Sequence, residues 1–131
     1  MAAAESYPDD LKYHQDHDWA RLEGDEAVLG ITWFAADSLG ELVHFEPPEV
    51  GATISKDESY GEVESVKAVS DVTAPLSGEV LEVNGGVVDA PETVNEDPYG
   101  AGWLIRIRLS DAAEADALLD VAAYKQVLAD S

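Results

Sequence analysis

Along most of the chain, apolar side chains recur at every second position, the spacing of a strand with one buried face. Residues 11–13, 19–23 and 27–31 read as a meander, the last two strands joined by a Gly24-Asp25 turn. Thr32 is placed to cap a short helix to Leu39, with Trp33 or Phe34, Ala36 and Leu39 as its buried stripe and Gly40 as the exit residue. Residues 41–45 give another strand, stopped by Pro47-Pro48. A turn at Val50-Gly51-Ala52 and the pair Thr53-Ile54 lead into two runs rich in β-branched residues, 61–66 and 68–73. After Pro75-Leu76-Ser77-Gly78 turns the chain, residues 79–83 alternate carboxylates with aliphatics. Asn84-Gly85-Gly86 ends that strand, and Pro91 and Pro98 predict a long irregular connection to a last strand at 103–109. Asp111 with Glu114 has the form of a capping box for a helix to Leu119, and Asp120 can cap a second one with Val121, Tyr124 and Leu128 on one face. The pattern predicts an α+β protein, mainly β, in two packed antiparallel sheets with C-terminal helices on one side. Residues 40–43 (Gly-Glu-Leu-Val) echo 78–81 (Gly-Glu-Val-Leu). As a duplication this predicts two quasi-symmetric sheet halves, although short matches of this kind also arise by chance in strand-rich sequence.

Charge changes the picture more than composition does. The 131 residues hold 28 Asp and Glu against 7 Lys and Arg, a formal net charge of −21. Nucleic acid is therefore not an expected partner. Self-repulsion of this size weakens a compact state in dilute buffer, and it fades in molar salt, where the screening length falls to about 3 Å. A salt-rich cytoplasm is the expectation; the rival is an acidic docking surface for a basic partner. With no cysteine, a disulfide framework, a thiol nucleophile and thiolate metal ligation are excluded. No basic segment precedes an apolar run at the start and no 18-residue apolar stretch occurs, so a soluble, cytoplasmic protein with no membrane association is expected. Residues 1–10, small and acidic with Pro8, read as a flexible N-terminal tail. One domain follows, from 11 to 131.

Against that acidic background stands Lys67, one of 4 lysines. It falls at the midpoint of the two β-branched runs, with no room for a long loop, so a lone amine is lifted off a rigid support. Such a lysine suits a covalent swinging arm, because its amine is open to an attaching enzyme and its backbone geometry is fixed. An ordinary surface lysine in a turn has the same placement. Other chemistry finds less support. His14 and His17 lie in strand or turn without a third ligand, and His44 has no recognisable relation to them. Trp19, Trp33 and Trp103 read as core or groove edge, since no basic residues interleave with them. There is no glycine-rich phosphate loop.

The residues around Lys67 decide more than its position. Gly61-Glu62-Val63-Glu64-Ser65-Val66-Lys67-Ala68, then Ser70-Asp71-Val72 and Pro75-Leu76-Ser77-Gly78-Glu79-Val80, closely resemble the lipoylation region of the glycine cleavage system H proteins. The likeness runs through Leu11-Lys12-Tyr13, His17-Asp18-Trp19, Gly30-Ile31-Thr32, Leu39-Gly40-Glu41, Pro98-Tyr99-Gly100 and Gly102-Trp103. Biotin carriers share the Pro-Leu-Ser-Gly turn but usually flank their lysine with methionines, where Val66 and Ala68 stand here. The resemblance implies the barrel-sandwich hybrid fold of lipoyl and biotinyl carriers, with residues 11–131 as a single lipoyl-carrier domain. It implies lipoate joined to Lys67 as an amide, and a non-catalytic, monomeric carrier. Its partners would be a pyridoxal-phosphate glycine decarboxylase, a tetrahydrofolate-dependent aminomethyltransferase, an FAD-dependent dihydrolipoamide dehydrogenase and a lipoate-attaching enzyme.

The resemblance also suggests where a loaded arm is held between partners: near Asp18, which stands where the family usually has Glu, near Ile31, and near Asp71 on the strand after the lysine. Glu62 and Glu64 are candidates for recognition by the attaching enzyme, or else solvated strand residues. Two other functions keep the same lysine or dispense with it: a relay that passes lipoate to other enzymes, and a non-acylated acidic interaction module. The charge reading has its own test. The melting temperature should rise continuously between low and molar KCl; a protein equally stable at both ends of a calorimetric KCl series contradicts adaptation to a salt-rich interior.

Overall fold

A computed structural model describes residues 2–130. Its first sheet has six strands in the order β1-β2-β3-β9-β8-β5, and its second has three, β4-β6-β7. The ranges are β1 Lys12–His14, β2 Asp18–Glu23, β3 Glu26–Ile31, β4 Leu42–Glu46, β5 Thr53–Ile54, β6 Ser59–Ser65, β7 Val69–Thr73, β8 Gly78–Val83 and β9 Ile105–Leu109. Every pairing is antiparallel. The expected two-sheet fold is thus present, with sheets of unequal size: β4 and β8, which carry the sequence echo, sit in the three-stranded and six-stranded sheets respectively.

The sheets are held face to face by apolar side chains at alternate positions, among them Leu29, Phe45, Val63, Leu76, Ile105 and Ile107, all buried. A second, aromatic cluster lies under the C-terminal helix α4, Val121–Ala129. There Tyr13 stacks on Tyr124 with ring centroids 4.6 Å apart. Asp120 caps α4 by accepting from Ala123 N–H at 2.8 Å. On the large sheet, Arg106 reaches Glu23 at 2.7 Å and Glu26 at 3.3 Å.

Three local expectations change. The connection after β8 is not irregular but holds two short helices, α2 Gly85–Asp89 and α3 Thr93–Glu96. Asn84 starts the first by accepting from Gly86 N–H, while its amide donates to Ala101 O and Trp103 O. Residues 112–117 form a 3-10 helix instead of an α-helix to Leu119. The reason is Glu114: its carboxylate does not close a capping box but accepts from Ser77 N–H (2.8 Å) and Ser77 Oγ (3.0 Å). In α1, Trp33–Leu39, only Ala36 is buried; Trp33, Phe34 and Leu39 are half-buried.

The segment before β1 lies along the body. Trp33 Nε1 donates to Ala3 O at 2.8 Å, Ala3 N–H to Asn95 O at 2.9 Å and Tyr99 OH to Ser6 O at 2.6 Å. Tyr7 meets Tyr124 edge-on at 5.6 Å.

Trp19 and Gly30 face each other across β2 and β3. A Cβ added at Gly30 would fall 2.6 Å from the Trp19 ring, and that ring is fully buried. Gly30→Ala should therefore cost about 1–3 kcal/mol by overpacking, read as a lower melting temperature; an unchanged melting temperature would show that the indole can yield.

Candidate functional site

Strands β6 and β7 pair Gly61 with Val72, Glu62 with Asp71, Val63 with Ser70 and Glu64 with Val69. Ser65 N–H then donates to Ala68 O at 2.8 Å, leaving Val66 and Lys67 as a two-residue turn. Such turns normally rely on positive φ at one or both positions, supplied by Gly, Asn or Asp. Neither Val66 nor Lys67 has it. The Ser65 hydroxyl closes the turn in its place, accepting from Lys67 N–H at 3.3 Å and Ala68 N–H at 3.1 Å. Ser65 is itself buried, and Val63 and Val72 beneath it anchor the hairpin in the core. Nothing in the hydrophobic pattern singled out this serine. Its signal was the lack of any turn-forming residue between two strands that leave room for only two.

Lys67 is exposed at the apex, flanked by Val66 at 83% and Val69 at 60% exposure. Among the described residues its amine makes no ion pair. The aliphatic stem leans toward the end of α1, where a Cβ built on Gly40 would sit 3.7 Å from Lys67 Cε. Gly40 has φ 85°, a conformation other side chains rarely adopt, and its N–H returns to Ala36 O. An accessible amine on a clamped hairpin fits covalent attachment of an acyl arm.

Glu62, Glu64 and Asp71 are exposed, alternating with the buried Val63 and Ser65. Glu62 and Asp71 are directly opposite each other, a like-charge pair that opposes hairpin closure at low salt. By strand rise Asp71 lies roughly 13 Å from Lys67, comparable to the ~14 Å reach of an extended lipoyl-lysine arm.

Asp18 and Ile31 are brought together as cross-strand partners, yet Asp18 is no surface acid. It is 2% exposed, and its Oδ1 has no hydrogen-bond partner. Burial pushes its carboxyl well above the ordinary range, Asp16 adds to this, and the Thr73 backbone amide partly offsets it. Tyr60 shares the site. An irregularity in β6 between Ser59 and Gly61 accompanies a buried ring whose hydroxyl is also unpartnered, and burial first, then the Asp18 charge, raises its pKa. The two histidines go separate ways: His14 Nε2 meets Asp57 at 2.7 Å, and His17 Nδ1 meets Tyr124 OH at 2.8 Å. Among the described residues no three His, Cys, Asp or Glu are grouped to hold a metal.

Because its folded pKa is raised, Asp18 favours the fold below the ordinary Asp value of 3.8, and that contribution is lost as pH rises through the folded value. Asp18→Asn, which imitates the protonated acid, should raise the melting temperature at pH 7 by several degrees, at roughly 3–5 °C per kcal/mol for a chain of this size. The gain over wild type should shrink toward pH 4; a gain independent of pH would mean that Asp18 is charged in the fold.

Residues 11–131 match the family model described as Glycine cleavage H-protein. The glycine cleavage system H protein of Symbiobacterium thermophilum is 53% identical over 117 residues, covering 89% of this chain and 91% of that protein. That of Halorhodospira halophila is 53% identical over 124 residues, with 94% and 95% covered. A crystal structure of a glycine cleavage system H protein from Mycobacterium marinum aligns with a TM-score of 0.86 at 43% identity, over 94% of this chain and 99% of that one. With a clamped lysine hairpin on two packed antiparallel sheets, and with relatives matched over nearly its whole length, this chain belongs to the glycine cleavage H-protein family.

Proposed function

We propose that Lys67 bears lipoate as an amide and that the protein is the lipoyl carrier of the glycine cleavage system. The observation that carries this is the exposed Lys67 amine at the apex of a two-residue turn closed by the Ser65 hydroxyl. A carrier lysine has to be presented in one orientation to the attaching enzyme, and a turn locked to the core does this at low entropic cost. Bound there, lipoate supplies a dithiolane that takes up the aminomethyl group of glycine and, as the dithiol, two electrons. The chain contributes presentation and shelter, and no step of catalysis is assigned to its own side chains.

The partners are the pyridoxal-phosphate glycine decarboxylase, the tetrahydrofolate-dependent aminomethyltransferase and the FAD-dependent dihydrolipoamide dehydrogenase, together with a lipoate-attaching enzyme for which Glu62 and Glu64 are recognition features. Asp18, Ile31 and Asp71 are the candidates for holding the loaded arm between partners, Asp18 and Ile31 being cross-strand partners. Among the described residues no helix is long and apolar enough to cross a membrane, and the protein acts as a cytoplasmic monomer. The excess of 28 acids over 7 bases suits a salt-rich interior. Residues 11–131 form the carrier domain, preceded by the N-terminal segment.

Two measurements test the reading. Intact mass of protein from its native cells should show one lipoyl increment, absent in Lys67→Arg; an unmodified native protein would refute carriage. Reconstitution with the decarboxylase should give glycine-dependent exchange of carbon dioxide that drops to background in Lys67→Arg. A lipoylated protein without exchange would point to lipoyl relay instead.

A further inference from the structure

We propose that Asn95, in α3, is a positioning residue for acylation of Lys67; the proposal rests on lipoate attachment at that lysine. Its side-chain amide spans the corner between α1 and β4. Oδ1 accepts from Leu42 N–H at 2.9 Å, and Nδ2 donates to Gly40 O at 2.9 Å and to Ala36 O at 3.4 Å. One planar group thus ties two carbonyls at the end of α1 to the first N–H of β4.

The residues at that corner are supports of the lysine. Lys67 Cε leans over Gly40, 3.7 Å from where a Cβ would stand. Leu42 pairs with Ser65 across β4 and β6, and the Ser65 hydroxyl closes the turn that carries the lysine. The strand ladder does not secure this pair alone, because the register of β4 against β6 shifts directly after it, between Leu42 and His44. A side chain that fixes Leu42 from outside the sheet therefore sets the register where it bears on Ser65. The same side chain fixes the backbone over which the lysine stem lies, so Asn95 acts on Lys67 through Gly40 and Ser65.

Asn95 is itself held. Helix α3 has only four residues, too few to persist by helical propensity, and packing keeps it in place. Val94 is fully buried, and the chain at Gly102 passes so close that a Cβ there would fall 2.8 Å from Val94 Cα. Asn95 O accepts from Ala3 N–H at 2.9 Å, while Ala3 O accepts from the Trp33 indole at 2.8 Å. The segment before β1 thereby staples α3 to the start of α1, and the support under the lysine runs from that segment to the hairpin through one residue.

The chemistry of the position suits an amide, which faces one donor and two acceptors and matches all three. A carboxylate of the same shape keeps the bond from Leu42 N–H but turns an oxygen toward the Gly40 and Ala36 carbonyls, which repel it. Asn95→Asp is therefore a selective perturbation of the corner.

The test is transfer from lipoyl adenylate preformed on a purified lipoate ligase: the Lys67 amine attacks the acyl carbon, AMP leaves, and the amine nitrogen gives up a proton to solvent. Single-turnover transfer to Asn95→Asp at saturating carrier should be about tenfold slower than to wild type, with the half-saturating carrier concentration changed less than about twofold, because the exposed hairpin still docks while its amine is misplaced. The Lys67 and Ala68 amide resonances of ¹⁵N-labelled protein should move with the loss. Acetic anhydride, which needs no orientation, should modify Lys67 at the wild-type rate. Asn84→Asp, altering an amide that bonds Gly86, Ala101 and Trp103 instead, controls for lost stability and should transfer as wild type does. Should Asn95→Asp not fold, Asn95→Ser, whose shorter side chain does not reach Gly40 O, carries the same expectation. Wild-type transfer in the folded Asn95 variant overturns the positioning role, as does an equal loss in Asn84→Asp. Either result leaves carriage standing; a wild-type protein that accepts no lipoyl group removes carriage and the positioning role together.

Discussion

A single buried hydroxyl governs how the lysine is shown to other proteins. With no glycine or asparagine at its apex, the β6–β7 turn depends on Ser65 Oγ to engage the Lys67 and Ala68 amides. Those amides could find water instead, so the bond is worth only about 1 kcal/mol. Its importance lies in direction. Ser65 is anchored on the core side of a strand whose neighbours Val63 and Val72 are fully buried, so the apex inherits the rigidity of the interior. Without the hydroxyl the same two residues would sample several turn geometries, and the amine would leave the position from which it crosses Gly40.

The interior below the hairpin is not uniformly apolar. At one end of β2, Asp18 and Tyr60 share a site in which each has an oxygen without a partner. On the other side of the same strand, His17 and Thr32 converge on the Tyr124 hydroxyl at 2.8 Å each. The two groups answer pH in opposite senses. Asp18 withdraws its stabilisation as pH rises. His17, whose pKa burial lowers, supports the fold above 6.5 and loses that support as pH falls. Both bear on the junction where β2 begins, next to the cross-strand pair of Asp18 and Ile31, and between the two limits neither contribution is complete.

How much of this was legible in the sequence depends on the range of the interaction. Strands with alternating carboxylates and aliphatics, such as β8, are local and came through directly; so did the Thr32 and Asp120 caps, which bond Ala35 and Ala123. The failures all involve side chains answering to remote partners. Glu114 looked like half of a capping box three residues from Asp111, but Ser77 claims it from 37 positions away. The segment after Asn84 looked irregular because its helices are too short to show a period, and they stand only because Asn84 and Asn95 tie them to Trp103, Leu42 and Gly40. For the candidate site, the tight hairpin and the placing of Lys67 at its tip were readable, while the centring of the turn on Val66 and Lys67 was not. The burial of Asp18 was not, because an Asp beside a Trp in a strand gives no hint that its carboxyl faces a tyrosine 42 residues on.

The charge of the body constrains how such a hairpin can be recognised. If the fold operates where salt relieves a net charge of −21, the screening length there is about 3 Å, and long-range attraction to a basic partner contributes little to encounter. Recognition then falls to contacts that salt does not weaken. The hairpin provides them: Val66 and Val69 flank Lys67, and on the adjacent strand the irregular register between Leu42 and His44 leaves Val43 49% exposed. Apolar residues of this size, out in solvent on an otherwise acidic surface, strengthen as contacts when salt rises. The acids beside them then act at short range only, by rejecting surfaces that would bury Glu62, Glu64 or Asp71 unpaired. A carrier that must meet several enzymes in turn gains from this division, because a small apolar tip fits each of them while the surrounding charge keeps the rest of the body out of every interface.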